Sequence, residues 1–188
     1  MLWVARDEGN ACVLNPPSGI ERDWELCEGI TRAATFPPDV SMRMSDAHPR
    51  RLGLTDNLMN LAELAIVSES VKAFLEARAL KSVEYLPVKI INHKRRAVAR
   101  PYFILHATSA QDCLDAAASG CTYSNMVPTD IVSVERLVID PSRVDPSVAV
   151  FRIKDFGSPL LICRDLAEEL LRAGLRGLAF LDLAEYCG

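Results

Sequence analysis

The chain has 188 residues, with 21 Lys and Arg against 25 Asp and Glu, so its formal charge is −4. Apolar residues make up 49 % and charged residues 24 %, the balance of a soluble globular protein with enough chain to bury one core. No uncharged apolar run approaches the ~20 residues of a membrane span, and a slightly acidic chain lacks the Lys and Arg surplus of a dedicated nucleic-acid binder. The opening Met1-Leu2-Trp3-Val4-Ala5-Arg6-Asp7-Glu8 meets charge before a secretory apolar stretch develops, so a cytoplasmic location is expected.

In chain order, Leu2–Arg6 and Cys12–Leu14 read as a hairpin across Asp7–Asn10, closed off by Asn15-Pro16-Pro17-Ser18-Gly19. Phe36-Pro37-Pro38-Asp39 is a loop and Val40–Met44 is extended. Ala65-Ile66-Val67 predicts a short strand. Ser68 is placed to cap a helix, and Val71, Phe74 and Leu75 fall on one stripe of it. Val83 to Ile91 is extended, Asn92-His93-Lys94-Arg95 turns the chain, and Ala97 to His106 returns. Pro101 inside that return removes an amide donor and predicts an edge strand or a bulge. Further strands are expected at Val132–Ile139 and Val148–Ile153, around the turn-rich 140–146. Asp165 with Glu168 has the spacing of a capping box, and Gly174 suits the left-handed position that ends a helix.

Residues 67–88 and 162–183 echo one another without a gap. Val67 matches Ile162, Val71 matches Leu166, Leu75 matches Leu170, Leu80 matches Leu175 and Tyr85 matches Phe180. Each copy reads as strand, helix, turn, strand, whether by duplication or because two such units look alike. The expected fold is therefore mixed α/β: one domain over 1–188 with a mixed sheet, two strand–helix–strand units and a central hairpin. An N-terminal β layer over 1–60 would pack on a core over 61–188.

Chemistry is sparsely marked. The six cysteines, Cys12, Cys27, Cys113, Cys121, Cys163 and Cys187, form no C-x-x-C pair and suit reduced thiols. With His48, His93 and His106 scattered, no zinc-ligand spacing arises. Neither nucleotide-binding glycine pattern nor a G-x-S-x-G elbow is present. No metal, nucleotide or other cofactor is expected. The best nucleophilic trio is Cys113 with His106 and Asp112 or Asp115, and most such cysteines are inert packing. Asp165, Glu168 and Glu169 are accounted for by the amide dipoles of a helix start.

Two segments suit contact with a protein. The basic cluster His93-Lys94-Arg95-Arg96 with Arg100 is the most concentrated charge in the chain, and Asn92 with residues 93–96 sits on a turn. The irregular stretch 43–51 carries Arg43, Asp46, His48, Arg50 and Arg51. Trp3 and Trp24 read as core residues, either becoming an interface anchor if exposed.

Ordered landmarks then form a set: Trp24-Glu25-Leu26 with Gly29-Ile30, Phe36-Pro37-Pro38-Asp39-Val40-Ser41, and Leu54-Thr55-Asp56-Asn57. Val83–Val88, Asn92-His93-Lys94, Tyr102-Phe103-Ile104, Asp112–Asp115, Leu137–Asp140 and Phe151-Arg152 follow. In order and spacing the chain resembles the myxobacterial-type immunity-protein family of bacterial polymorphic toxin systems over nearly its whole length. That resemblance implies a cytoplasmic protein that binds and neutralises a toxin encoded beside it, with no catalytic residues to carry over. Binding as a stoichiometric inhibitor is the leading expectation. An enzyme using Cys113 and His106, or a scaffold or regulatory module of a secretion system, are the alternatives.

Overall fold

The echoed segments fold alike, and their likeness organises the molecule. In the computed structural model, which describes residues 1–186, the strands are β1 (Leu2–Ala5), β2 (Val13–Leu14), β3 (Ser41–Arg43), β4 (Asn57–Asn60), β5 (Ile66–Ser68), β6 (Val83–Ile91), β7 (Tyr102–Ala107), β8 (Ala110–Gln111), β9 (Cys121–Tyr123), β10 (Ile131–Val134), β11 (Val150–Ile153), β12 (Phe156–Ile162) and β13 (Leu178–Leu181). The helices are α1 (Glu69–Glu76), α2 (Ala116–Ser119) and α3 (Arg164–Arg172). One echo is β5–α1–β6 and the other β12–α3–β13. In each, the two strands flank a third that runs antiparallel to both: β7 lies between β5 and β6, and β1 between β12 and β13.

This pattern explains why the sheet is divided. The class is mixed α/β as expected, but the one sheet foreseen is two, because each unit encloses its own central strand. The sheets run β13-β1-β12-β11-β8 and β2-β4-β5-β7-β6-β3, with β9 and β10 as a separate pair. Side chains alternate across each strand, so neighbouring residues enter different cores. Val67, Leu105, Val150, Leu160 and Ile162 face a core shared with Val71 and Leu75 of α1 and Leu166, Ala167 and Leu170 of α3. Their neighbours Ile66 and Ile104 face a second core with Leu14, Leu26, Met42 and Leu86. Phe151 and Leu161 face a third, with Cys113, Val134 and Leu137.

Capping departs from expectation at one helix. Ser68 caps α1, its Oγ accepting from the Val71 amide at 3.5 Å. At α3 the cap position is Cys163, without a side-chain bond, and Asp165 lies in the first turn. The strand runs on to the helix there, the Cys163 amide donating to Ala149 O at 2.8 Å. Gly174 follows α3 with φ 71° as expected. The helices meet where Arg78 Nε donates to Glu169 Oε2 at 2.7 Å, its guanidinium 3.5 Å from the Phe74 ring centre.

Three strand readings need correction. β1 and β2 form no hairpin: β1 fills the gap in one sheet while β2 pairs in parallel with β4 of the other. The return strand starts at Tyr102, with Pro101 just outside it. β7 is central, hydrogen-bonded on both sides, where a proline would leave an unfilled place. The stretch 132–139 divides into β10 and an isolated bridge from Ile139 to Leu114.

Candidate functional site

β3 and β6 carry the two segments singled out above, and they pair in parallel with Ser41 opposite Lys89, Met42 opposite Ile90 and Arg43 opposite Ile91. The ladder continues past both strands, the Met44 amide donating to Ile91 O at 2.9 Å. Segments far apart in sequence therefore leave the sheet side by side. His93 Nδ1 lies 3.4 Å from Asp46 Oδ1, and Arg43 Nη2 lies 3.8 Å from Asp46 Oδ2. Asp46 thus sits between a cation of its own strand and a histidine of the turn.

The turn is held by its own backbone. Asn92 N donates to Arg96 O at 2.9 Å and Arg95 N to Asn92 O at 2.8 Å. Asn92 Oδ1 accepts from the amides of Lys94 at 2.9 Å and Arg96 at 3.1 Å. Arg95 takes φ 59°, a left-handed conformation a non-glycine side chain adopts at a cost. The exposed side chains of Lys94, Arg95 and Arg96 project from this fixed turn, and no described acid forms an ion pair with any of them. His48 and Arg50 are exposed on the adjoining loop.

Two of the expected contact residues have structural roles instead. Arg51 is tied down: its Nε donates to Ala11 O at 2.7 Å and its Nη2 pairs with Asp7 and meets Met59 Sδ. Asn92 is the brace of the turn. A groove of about 220 Å³ at its foot, between Pro38, Pro87, Ile90, Val98, Pro101 and Tyr102, was not foreseen. Its signal in the sequence was the pair Pro87 and Pro101, each removing an amide where strands would otherwise close up. Lys89 beside it donates to Asp39 at 2.6 Å, which holds that carboxyl below its ordinary value.

The thiol–imidazole trio is not assembled. His106 is fully buried on β7, its Nε2 2.6 Å from Ile30 O and its Nδ1 3.2 Å from Leu26 O. Burial keeps its pKa below that of a free imidazole, outweighing the raising effect of those carbonyls; this favours the neutral ring, whose single N–H donates to one of the two and braces the 26–30 loop. Cys113 is sealed in the third core, and burial pushes its thiol up. Burial likewise takes Cys12 up to about 11. The five described cysteines are free thiols, Cys163 being the exposed one; Cys187 lies outside the described residues. Among the described residues no group of three or more His, Cys, Asp or Glu is arranged to hold a metal ion. No described helix is long and apolar enough to cross a membrane.

A larger cleft of about 440 Å³ opens where β1 parts from β12 after the pairing of Leu2 with Leu161. Trp3, Val4, Leu64, Pro159 and Leu181 line it. Glu63, Glu185 and Tyr186 also line it.

A family model described as an immunity protein family (Imm11) matches residues 9–185 of the 188. The chain belongs to that family. No curated protein matches it. Membership of the Imm11 family agrees with the resemblance drawn from the ordered landmarks and supports an immunity role with a toxin partner. Many of those landmarks prove to be braces. Glu25 is buried and pairs with Arg32 and, at 2.9 Å, with Arg22. Gly29 has φ 72° with its Cα against Ala110, where a Cβ would come within 2.9 Å of the Ala110 Cβ. Asp56 ties the two sheets together. The family pattern therefore marks the frame that carries the surface more than the surface itself.

Proposed function

We propose that this immunity-family chain neutralises a cognate toxin in the cytoplasm by binding it stoichiometrically, without a catalytic step, and that the toxin is encoded by a neighbouring gene. The observation that carries the reading is the family match over residues 9–185. A standard interface takes about 800 Å² from each partner, a small part of the 9916 Å² that this chain exposes. The bound protein would cover the toxin's active site or a surface the toxin needs.

The contact surface we propose is the joined pair of segments, with Arg43, Asp46, His48, Arg50 and His93 around the exposed turn Lys94-Arg95-Arg96. A fixed backbone lowers the ordering cost of binding, and exposed charge speeds encounter with a complementary surface. Arg51 and Asn92 act through the shape of the loop and turn.

Co-expression with each product of the neighbouring genes, followed by affinity purification and a growth-rescue assay, tests this. A 1:1 complex and restored growth with one of them is the expected result. Neither binding nor rescue with any of them, or turnover of a small compound that one substitution abolishes, would overturn it.

A further inference from the structure

The β9–β10 hairpin is a strand pair outside both sheets, with one part packed on the molecule and its open end and loop in solvent. Cys121, Ile131 and Val134 turn inward against the third core. Tyr123, opposite Ile131 and on its face at the open end of the pair, is 47 % exposed; Met126, 89 % exposed, and Val127 stand on the connecting loop, and Val132 is 64 % exposed. Val132 falls where the pairing shifts between Ile131 and Ser133, a bulge that leaves it without a cross-strand partner to cover its apolar side chain. Single exposed apolar residues need no explanation, but four within residues 123–132 form a ridge. A solvated hairpin gains nothing from exposing such residues.

The ridge has a neighbour. The tight turn Lys154–Asp155 between β11 and β12, with the start of β12, is held from two sides. The Ile131 amide donates to Asp155 O at 3.3 Å. On the other side Gly157 lies so close to Cys27 O that a Cβ would sit 2.2 Å from it. Cys27 ends the 3₁₀ turn Asp23–Cys27, whose Trp24 is 56 % exposed. Trp24, Tyr123 and Met126 are residue types enriched in the desolvated centres of interfaces. Within residues 23–30, 123–132 and 154–157 the exposed charges are the acids Asp23, Glu28, Asp130 and Asp155 and the cation Lys154, none in an ion pair among the described residues.

We propose that Trp24 and the β9–β10 ridge form a second docking face, and that its occupant is an apolar surface of the cognate toxin rimmed by Lys and Arg. This rests on the toxin-binding reading above. Charge complementarity names the occupant: four unpaired acids against one cation favour a basic rim and oppose an acidic one. The cationic turn at Lys94–Arg96 has the opposite preference, so the two faces address different parts of the toxin surface.

The test is titration of the purified toxin with the wild-type chain, with Met126→Asp/Val127→Asp, and with Asp23→Lys/Asp130→Lys. All four positions are exposed, and thermal melting checks that the variants fold. The expected result is a Kd raised about 30-fold or more by the first pair and about tenfold by the second, the second effect shrinking with added salt. Unchanged affinity in the first pair, with the wild type still binding, would refute the docking face and leave toxin neutralisation standing. Should the first pair fail to fold, the charge-reversed pair decides, and unchanged affinity there refutes the basic rim. A wild-type chain that binds no neighbouring toxin overturns the parent reading and this one with it. A self-associated form that Met126→Asp/Val127→Asp dissolves would make a second copy the occupant and overturn the proposal.

Discussion

Replacing Asp56 by Ala removes the acceptor at the junction of the two sheets, and the structure allows the cost to be worked out. Asp56 is 8 % exposed. Its Oδ1 accepts from Ser68 Oγ at 2.8 Å and from Arg100, and its Oδ2 accepts from the Arg176 amide at 2.9 Å. Its own amide donates to Arg176 O at 2.8 Å and its carbonyl accepts from Ser68 N at 2.8 Å. Truncation orphans one buried donor, Ser68 Oγ, and one part-buried donor, the Arg176 amide, at about 1–3 kcal/mol each with the amide at the low end. The partly exposed Arg100 adds less, because water screens it. The sum is about 2–5 kcal/mol, or a fall in Tm of about 4–20 °C for a chain of this size. Asp56→Asn keeps one acceptor oxygen and should cost about half as much. Burial alone would raise the carboxyl's pKa, but the bonds from Arg176, Ser68 and Arg100 win and lower it. Its stabilisation is therefore present above the unfolded value near ~3.9 and is lost as pH falls through the lower folded value. Urea unfolding at pH 7 and at pH 3.5 reads both effects. A cost below about 1 kcal/mol for Asp56→Ala at pH 7 would refute the reasoning.

Other consequences are as direct. His106 is held neutral by burial, so its folded pKa lies below the unfolded one. The unfolded chain then binds the extra proton first, and the urea midpoint should fall as pH drops below ~6.5, less steeply in His106→Gln; parallel pH profiles for the two proteins would contradict this. Gly157→Ala places a Cβ 2.2 Å from a backbone oxygen that has no room to yield, and should destabilise by about 1–3 kcal/mol in chemical unfolding. Lys94→Glu/Arg95→Glu/Arg96→Glu should leave the melting temperature unchanged and slow toxin association about tenfold at low salt, an effect that stopped-flow mixing at raised ionic strength should erase. With iodoacetamide, Cys163 should react in the folded protein while Cys12 and Cys113 wait for unfolding; fast labelling of Cys113 would revive a thiol enzyme.

What local chemistry decides was legible in the sequence. The stripe Val71, Phe74, Leu75 and the cap Ser68 are settled within one turn of chain, and the echo at Leu166 and Leu170 obeys the same period. The turn at Asn92 was also legible, since an Asn side chain bonds amides two and four residues on. Pairings across the chain were not. Nothing local to Leu2–Ala5 says that β1 will fill the gap between β12 and β13, some 160 residues away. The joining of 43–51 with 92–96 was unseen for the same reason, as it follows from the parallel register of β3 on β6. The ridge was missed because Val132 read as an ordinary strand residue and no element was expected at 121–123; that the bulge leaves Val132 without a cross-strand partner is a matter of register.

The division of labour between frame and surface follows from the two split units. Each unit satisfies its central strand on both sides and places its helix on the shared core, so the helices are largely committed to packing. What remains for contact is what the units do not enclose: the β3–β6 edge with its turn, the β9–β10 hairpin, and the loops around Trp24. These are the parts least constrained by core packing. On the proposed reading, contact residues there would change with the toxin while Glu25, Asp56 and His106, each held by several bonds, keep the frame. An immunity chain built this way can change partners by altering exposed positions such as Arg95 or Met126 at little cost in stability. Substitutions at the braces should instead abolish protection by unfolding the chain, and growth rescue combined with melting curves on the two classes of variant separates the two routes.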